Sequence, residues 1–222
     1  MRKEIKYILD LQEFNKIRNV LDKTMQKDIH SDCTGEYIVR TVYFENYLHE
    51  TINNKKMNLN NISKYRIRMY QNNDRFLSLE RKTNCNGIIK KESEIIDKEL
   101  VEKLLKGEFY DLLDKSTILK NALYLQMAIK QYRAFIIVEY TRLAYMDSKS
   151  NVRITIDRNI KSSINCEKFF EKDIQGISSN EMVLEVKYSQ YMPEYIKDIL
   201  KILDKQQKAN SKYINETMKY GI

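Results

Sequence analysis

The eight residues KYRIRMYQ, at positions 64–71, decide the fold class because polar and apolar side chains alternate along them. Successive side chains of a β-strand point to opposite faces, so Lys64, Arg66 and Arg68 share one face and three apolar side chains share the other. Three cations on one open face repel one another unless an anion lies against them. The stretch therefore predicts a strand whose charged face meets an anionic partner.

The flanking sequence predicts further antiparallel strands. A strand over about residues 36–45 precedes the stretch, and strands in RFLSLERKT and IIKKESEII follow it, joined through the turn segments QNND and NCNG. A helical region from Asp97 to Gln131 leads to three more strands, in AFIIVEYTRLAYMD, NVRITIDRNI and EMVLEVKYS. Amphipathic helices lie before, between and after the strands, the first with Asp10 as its N-cap. We predict an α+β fold, an antiparallel β-barrel of about eight strands flanked by helices, as a single domain over residues 1–222.

The alternate positions that form the polar face of these strands are rich in cations and also contain carboxylates. Arginine recurs there, and its planar guanidinium matches phosphate oxygens. The helices need an apolar surface to cover, which the other face of the strands provides, so we expect the charged face to line a water-filled tunnel. Such a basic interior suits a chain of phosphates, with carboxylates holding a divalent metal. For any one strand, a charged face in open water is the alternative interpretation.

The composition agrees with an acidic ligand. The chain has 222 residues, with 39 Lys and Arg against 31 Asp and Glu, a formal net charge of +8. This excess suits nucleic acid, a membrane surface, a nucleotide or another polyanion, although a lysine-rich surface gives the same number. The stretch YIKDILKILDKQQK has the pattern of a helix packed on the barrel and also of an interfacial helix.

The sequence also indicates in which cellular compartment the protein is expected. The N-terminal residues MRKEIKYILD lack the apolar run of a secretory signal, and no apolar run is long enough to cross a bilayer. The cysteines Cys33, Cys85 and Cys166 are too widely spaced for a disulfide framework or a zinc site. We expect a cytoplasmic protein, with a peripheral position on the inner face of the membrane as the alternative.

Eight motifs, in order, resemble one known family. They are RKEIKY, TVYFE, KYRIRMY, LSLERKT, VEYTRLAY, VRITIDRN, LEVKY and SKY, and they extend from Arg2 to about Tyr213. The set resembles the VTC domain, the polyphosphate polymerase domain of the vacuolar transporter chaperone complex and its bacterial relatives. This family is one of the triphosphate tunnel metalloenzymes, with the CYTH-type triphosphatases and class IV adenylyl cyclases. The resemblance implies a triphosphate tunnel fold.

The resemblance also implies which residues act. A ring of basic residues would bind the triphosphate of ATP or the growing polymer end. By motif match the expected catalytic residues are Lys6, Arg66, Arg68, Lys82, Arg142, Arg153 and Lys212. The expected phosphate-binding residues are these with Lys91 and Tyr140. Glu185 matches the metal-binding glutamate, and Glu4 and Glu80 are candidates for further metal or water ligands or for salt-bridge partners of the bases.

The implied reaction transfers the γ-phosphoryl group of ATP onto a polyphosphate chain with the help of Mn²⁺ or Mg²⁺. The expected ligands are ATP, inorganic polyphosphate, and pyrophosphate or triphosphate; DNA is not expected, a separate membrane partner remains open, and the oligomeric state is not predicted. Whether Lys90 or Lys91 faces the tunnel depends on register, which a one-residue shift would reverse. Glu45 replaces an aspartate usual in the family, so its role stays open, and His30 and His49 receive none.

Two other functions stay open. One is a triphosphatase of the same fold that cleaves tripolyphosphate or a nucleoside triphosphate. The triphosphatase branch begins with the pattern ExExK, and Arg2 in place of the first glutamate favours the polymerase. The other is a non-enzymatic module that binds polyphosphate or RNA. The 16 tyrosines suit RNA binding, but no RNP-like motif is present.

Overall fold

The structure is a computed structural model that describes residues 3–28, 34–57, 59, 62–85, 88–114, 117–189, 191–203 and 211–221. Arg2, His30 and Cys33, which entered the sequence analysis, lie outside these residues. The chain divides into two compact units, each assembled from three segments. The first unit comprises Met1–Ile38, Tyr140–Ile160 and Ser178–Lys212, and the second comprises Val39–Glu139, Lys161–Ile177 and Tyr213–Ile222. A single domain over the whole chain stays a prediction.

The described residues form ten strands, six α-helices and two 3-10 helices. The strands are β1 (Lys3–Leu9), β2 (Gln26–Lys27), β3 (Glu36–Glu45), β4 (Ile62–Tyr70), β5 (Asn73–Cys85), β6 (Ile88–Ile96), β7 (Arg133–Asp147), β8 (Val152–Ser163), β9 (Ile177–Ser179) and β10 (Met182–Tyr188). The helices are α1 (Leu11–Thr24), α2 (Glu50–Lys56), α3 (Lys98–Leu105), α4 (Ile118–Ile129), α5 (Glu194–Lys201) and α6 (Lys212–Met218), with 3-10 turns at Tyr110–Leu113 and Cys166–Phe170. None of the helices in the described ranges has the length and apolar composition needed to cross a bilayer.

The first unit has strands with one apolar and one charged face. Strands β1, β10, β8 and the C-terminal part of β7 are hydrogen-bonded in that order. Their apolar side chains form one core with buried residues of α1 and α5, among them Ile17 and Ile196. Helix α1 begins with the predicted cap, because Asp10 accepts from the Glu13 amide at 2.9 Å and Glu13 accepts from the Asp10 amide at 2.8 Å. The helices therefore cover the apolar face of the strands.

The second unit repeats this arrangement. The N-terminal part of β7 is followed by β3, β4, β5 and β6, and the β3–β4, β4–β5 and β5–β6 pairs are antiparallel. Gln71 and Asn72 connect β4 to β5 with φ angles of 53° and 52°, as a tight hairpin turn requires. Tyr65, Ile67 and Met69 are buried in a core that also takes side chains of α3 and α4. The apolar phase predicted for the opening stretch is thus the core phase.

Candidate functional site

Two glutamates and two lysines form a quartet on β1 and β10 of the first unit. The register places Lys6 opposite Glu185 and Glu4 opposite Lys187, so all four side chains share one face. Lys6 Nζ lies 2.8 Å from Glu4 Oε1 and 3.2 Å from Glu185 Oε2. Lys187 forms an ion pair with Glu185 and lies 4.0 Å from Glu4 Oε2. The quartet is therefore a closed network of alternating charges, with no net charge of its own.

The electrostatics of this quartet centre on Glu185. Burial by itself raises the pKa of the Glu185 carboxyl, but Lys187 and Lys6 outweigh burial and hold that pKa far below its usual range. Burial lowers the pKa of the Lys6 ammonium, yet Glu185 and Glu4 raise it above its usual value. Glu185 is thus an anion and Lys6 a cation at neutral pH.

Strand β8 continues this face beside β10. Thr155 lies opposite Glu185, and Arg153 lies opposite Lys187. The Arg153 guanidinium donates to Asp28 Oδ2 at 2.7 Å and to the Tyr37 hydroxyl at 3.0 Å. Among the described residues, Arg153 Nε and Thr155 Oγ1 are buried without a hydrogen-bond partner. This part of the face therefore keeps hydrogen-bonding groups for a ligand.

A second cluster in the first unit surrounds Asp157. Arg142 Nε and Nη2 donate to the two carboxylate oxygens at 2.6 and 2.8 Å, and Lys212 Nζ lies 2.5 Å from Oδ2. The Tyr140 ring packs against both cations, with its centroid 5.1 Å from Arg142 Cζ and 5.0 Å from Lys212 Nζ. Asp157 has no exposed surface. Three predicted residues are thus brought together around an aspartate that was not predicted.

The Asp157 cluster carries a net positive charge. Burial raises the pKa of the Asp157 carboxyl, but Arg142 and Lys212 outweigh burial and lower it to about 2. Asp157 in turn keeps the pKa of the Arg142 guanidinium well above its ordinary value, against the effect of burial. One carboxylate between two cations leaves an excess of one positive charge, which an anion would neutralise.

The second unit has its own cluster around Glu80. Arg66 Nε donates to Glu80 Oε2 at 2.7 Å and Arg66 Nη2 lies 2.6 Å from the same oxygen. Lys91 Nζ lies 2.8 Å from Oε1, and Arg68 Nη1 lies 3.9 Å from Oε2. Burial raises the pKa of the Glu80 carboxyl, but Arg68, Arg66 and Lys91 lower it to about 2. Three cations around one buried carboxylate leave two positive charges in excess.

Register decides which lysine belongs to this cluster. Lys91 lies opposite Lys82, and Lys82 lies opposite Lys64, so all three share the face of Arg66 and Glu80. Lys90 lies opposite Thr83, on the other face. The structure therefore gives Lys91, and not Lys90, the position beside the arginines.

Sequence reasoning missed some polar partners in both units. Asp157 shares the alternating phase of Arg153 in NVRITIDRNI, and Lys187 shares that of Glu185, so the phase alone could have found them. Thr41 Oγ1 accepts from Arg68 Nε at 3.2 Å, and the Tyr43 hydroxyl accepts from Arg66 Nη1 at 3.4 Å. Thr41 and Tyr43 lie on a predicted strand, but only the β3–β4 register shows that they face the arginines.

The donor chemistry allows a test of the expected metal. The described ranges contain no group of three or more His, Cys, Asp and Glu side chains that could hold an ion. Mg²⁺ and Mn²⁺ bind through one or two carboxylates, with water and substrate phosphates as the other ligands. Glu185 and Glu4, which flank Lys6, fit this requirement. Glu80 does not, because it is one carboxylate among three cations, Arg66, Arg68 and Lys91, whose positive excess would repel a metal ion.

Comparisons with known proteins agree with this architecture. A putative adenylate cyclase from Bacillus halodurans has 14% sequence identity and a TM-score of 0.58, with 95% of each chain covered. A putative adenylyl cyclase from Hippeastrum, with a dominant triphosphatase activity, has 13% identity and a TM-score of 0.58, covering 90% of this chain and 85% of its own. A protein from Pyrococcus horikoshii has 14% identity and a TM-score of 0.53, and the match covers 100% of both chains. These likenesses confirm the predicted fold, an antiparallel α+β fold of the triphosphate tunnel type.

Sequence comparison gives the family. No curated protein sequence matches the chain. The VTC domain matches residues 1–220, nearly the whole length, and the chain therefore belongs to the VTC domain family.

Proposed function

We propose that this protein transfers the γ-phosphoryl group of ATP onto the end of an inorganic polyphosphate chain and releases ADP. The observation that carries the proposal is the pair of clusters in which one buried carboxylate, Asp157 or Glu80, is surrounded by two or three cations. Each cluster keeps a positive excess that phosphate oxygens would neutralise. Membership of the VTC domain family and the tunnel type of fold support the same assignment.

The carboxylates act by orienting the cations. Arg142 is fixed by a two-point bond to Asp157, and Arg66 by Glu80, so each guanidinium is held in one orientation before a ligand arrives. A preorganised cation needs no rearrangement when charge develops on the transferred group, which is the largest contribution available to this kind of catalysis. Phosphoryl transfer requires positioning and charge neutralisation more than covalent chemistry.

The proposed divalent metal belongs to the first unit. Glu185, with Glu4, would hold Mn²⁺ or Mg²⁺, and the ion would neutralise phosphate charge when bound. Lys6 and Lys187 hold the Glu185 carboxyl in the ionised form that a metal ligand requires. Thr155 and Arg153 lie opposite Glu185 and Lys187 and would donate to phosphate oxygens. We propose that the reaction takes place in the cytoplasm; a separate membrane protein as partner remains open.

A triphosphatase is the second candidate. The structural neighbour from Hippeastrum has a dominant triphosphatase activity, and its fold is shared with this chain. Glu4 and Lys6 keep two positions of the ExExK pattern, and both lie on the charged face of β1. The same cations would then bind tripolyphosphate or a nucleoside triphosphate while water accepts the phosphoryl group.

One experiment separates these functions. The purified protein is incubated with ATP and Mn²⁺, and the products are analysed on a gel stained for polyphosphate alongside assays for ADP and free phosphate. Polymer with a matching amount of ADP is the expected result, whereas free phosphate without polymer would establish the triphosphatase. The absence of both products would favour a non-enzymatic module that binds polyphosphate or RNA.

Two variants serve as controls for the assay. Arg142→Ala should abolish the activity, and Arg18→Ala, at a half-buried surface pair with Asp22, should retain it.

A further inference from the structure

Strand β6 lies at one end of the strand order. Among the described residues it pairs with β5 alone, so its other edge faces no strand. An edge strand presents backbone N–H and C=O groups to which a further strand can hydrogen-bond. Six of the nine residues of β6 are exposed. This edge is therefore a place where another chain can add a strand.

Apolar side chains are concentrated along this exposed strand. Three of them are Ile88, Ile89 and Ile95, with exposed fractions of 59, 48 and 64%. Helix α4 adds a fourth, because the Thr117 hydroxyl donates to Glu94 of β6 and the next residue, Ile118, is 80% exposed. Exposed apolar groups that cluster in this way are typical of protein–protein interfaces.

The sequence of β6 is complementary to itself. It reads IIKKESEII over residues 88–96. When two copies of this strand run antiparallel with Glu92 at the centre, opposite residues share a face and match in type. The pairs are Ile88 with Ile96, Ile89 with Ile95, Lys90 with Glu94 and Lys91 with Ser93, and each occurs twice. Two apolar pairs and one pair of opposite charges thus lie on each side of the centre.

Other registers lose these pairs. A shift of two residues places Ile88 opposite Glu94 in one direction and Ile96 opposite Lys90 in the other. Parallel strands in register place lysine on lysine and glutamate on glutamate, which is destabilising. Lysines on an edge strand usually prevent pairing with another chain. In the antiparallel arrangement centred on Glu92 they instead meet a glutamate or a serine.

The charges at this edge can accept such a partner. Lys90 pairs with Glu92 at 3.4 Å and is 72% exposed, so a glutamate of the partner copy can approach its ammonium. Glu94 pairs with Lys120 at 3.3 Å and would take Lys90 of the partner copy as a second cation. The two Glu92 carboxylates meet at the centre, where each is neutralised by its own Arg81 at 2.6 Å. The arrangement therefore leaves each carboxylate of this strand with a cation.

We infer that β6 is the interface of a dimer, in which it pairs antiparallel with β6 of a second copy about a two-fold axis at Glu92. A two-fold pairing of this kind uses the same patch on both chains and closes, so the edge is covered in both. Because opposite residues share a face, Lys91 of one copy lies beside Ser93 of the other, and the charged face that carries Lys91 continues from one chain into the next. Such assembly does not depend on which reaction the protein catalyses.

A pair of charge substitutions tests whether two copies meet in this register. Sedimentation velocity measures the dimer dissociation constant at loading concentrations from about 1 to about 100 µM, because interfaces below standard size bind weakly. Ile95→Lys places an ammonium opposite Ile89 of the partner copy, and Ile89→Glu combined with Ile95→Lys places opposite charges there instead. Positions 89 and 95 of one chain are about 20 Å apart along the strand, so the two new charges can meet only across the interface. Ile129→Lys is the matched control, since Ile129 is 74% exposed at the C-terminal end of α4.

We expect a wild-type dimer whose dissociation constant rises at least roughly tenfold in Ile95→Lys, since the substitution acts at two symmetry-related pairs, and returns to within about threefold in the double variant. Ile129→Lys should leave it unchanged. Hydrogen exchange of the amides of residues 88–96 should slow as the dimer forms.

A wild type that stays monomeric would leave the edge to a strand of another protein and would overturn the dimer. A dimer that Ile95→Lys leaves intact would overturn β6 as its interface. A dimer that Ile95→Lys weakens and the double variant does not restore would overturn the register centred on Glu92.

Discussion

The carboxylate of Asp157 accepts two hydrogen bonds from one guanidinium, that of Arg142, at 2.6 and 2.8 Å. The same carboxylate forms an ion pair with Lys212, although it has no exposed surface. Such a pair is costly to desolvate and gains its stability only from good geometry and complete partners. Asp157 is therefore a positioning residue, since it decides where the two cations point.

Removing this carboxylate should strongly destabilise the fold. Asp157→Asn leaves Arg142 and Lys212, each only 12% exposed, without their counter-charge, and we expect a loss of roughly 3 kcal/mol in the free energy of unfolding. Denaturant unfolding measures it. Asp198→Asn is the control because Asp198 pairs with Lys201 in solvent, where screening makes the effect on stability small. Equal losses in both variants would contradict the role assigned to Asp157.

Acid should weaken the fold in a defined window. The pKa values of Asp157 and Glu80 are lowered to about 2 from 3.8 and 4.5, because their neighbouring cations outweigh burial. A lowered pKa in the folded protein means that the stabilisation is complete above about pH 4.5 and is lost as the pH falls towards 2. The urea midpoint should therefore fall through this window. Glu80→Gln should flatten the fall, and an unchanged pH profile would contradict the prediction.

Arg66 and Arg81 provide a matched comparison. Arg66 binds Glu80 and the Tyr43 hydroxyl on the charged face, while Arg81 binds Glu92 and the Tyr65 hydroxyl on the opposite face, at nearly equal distances. Both alanine variants should lose similar stability. Arg66→Ala should also weaken tripolyphosphate binding by roughly ten- to a hundredfold, through loss of a charge-assisted contact, and Arg81→Ala should not. Equal effects of the two on calorimetric affinity would disprove the assignment of the charged face.

Glu185 should control the metal requirement. Glu185→Gln removes the carboxylate that would hold the ion but keeps the shape of the side chain, so activity should fall and the Mn²⁺ concentration for half-maximal activity should rise at least tenfold. Binding of tripolyphosphate without metal should stay the same or tighten, because one negative charge is lost beside Lys6 and Lys187. Glu181→Gln, just before β10, serves as control. An unchanged Mn²⁺ dependence would place the metal elsewhere.

The sequence predicted seven strands, β3–β8 and β10, and their faces because the alternation of side chains is a local property. It did not predict β1, which carries Glu4 and Lys6, nor the short strands β2 and β9. Tyr65 and Ile67 are buried and Arg66 is partly exposed, as the opening stretch required. The partners of the cations were harder to predict. The contact between Asp157 and Lys212 depends on how a helix start meets a strand far away in the chain, and no local pattern encodes it.

The surroundings of His49 show the same limit more strongly. His49 received no role from the sequence, because its neighbours Gln131 and Phe135 come from a distant segment. A left-handed φ angle at Gln131 is also invisible in the sequence, since glutamine, unlike Asn, Asp and His, is not enriched in that conformation. The register of β6 against β5 is another feature that the local sequence does not show, and substitutions can test it directly.

Lys90 and Lys91 are neighbours of the same type that the register of β6 separates. Lys91 lies opposite Lys82 and pairs with Glu80 at 2.8 Å, whereas Lys90 lies opposite Thr83 and pairs with Glu92 at 3.4 Å. Lys91→Ala should raise the KM for ATP by about three- to tenfold, since one cation beside the phosphate is lost, and Lys90→Ala should leave it unchanged. The reverse result would mean that β6 pairs with β5 one residue out of this register, because a shift of one residue exchanges the two faces.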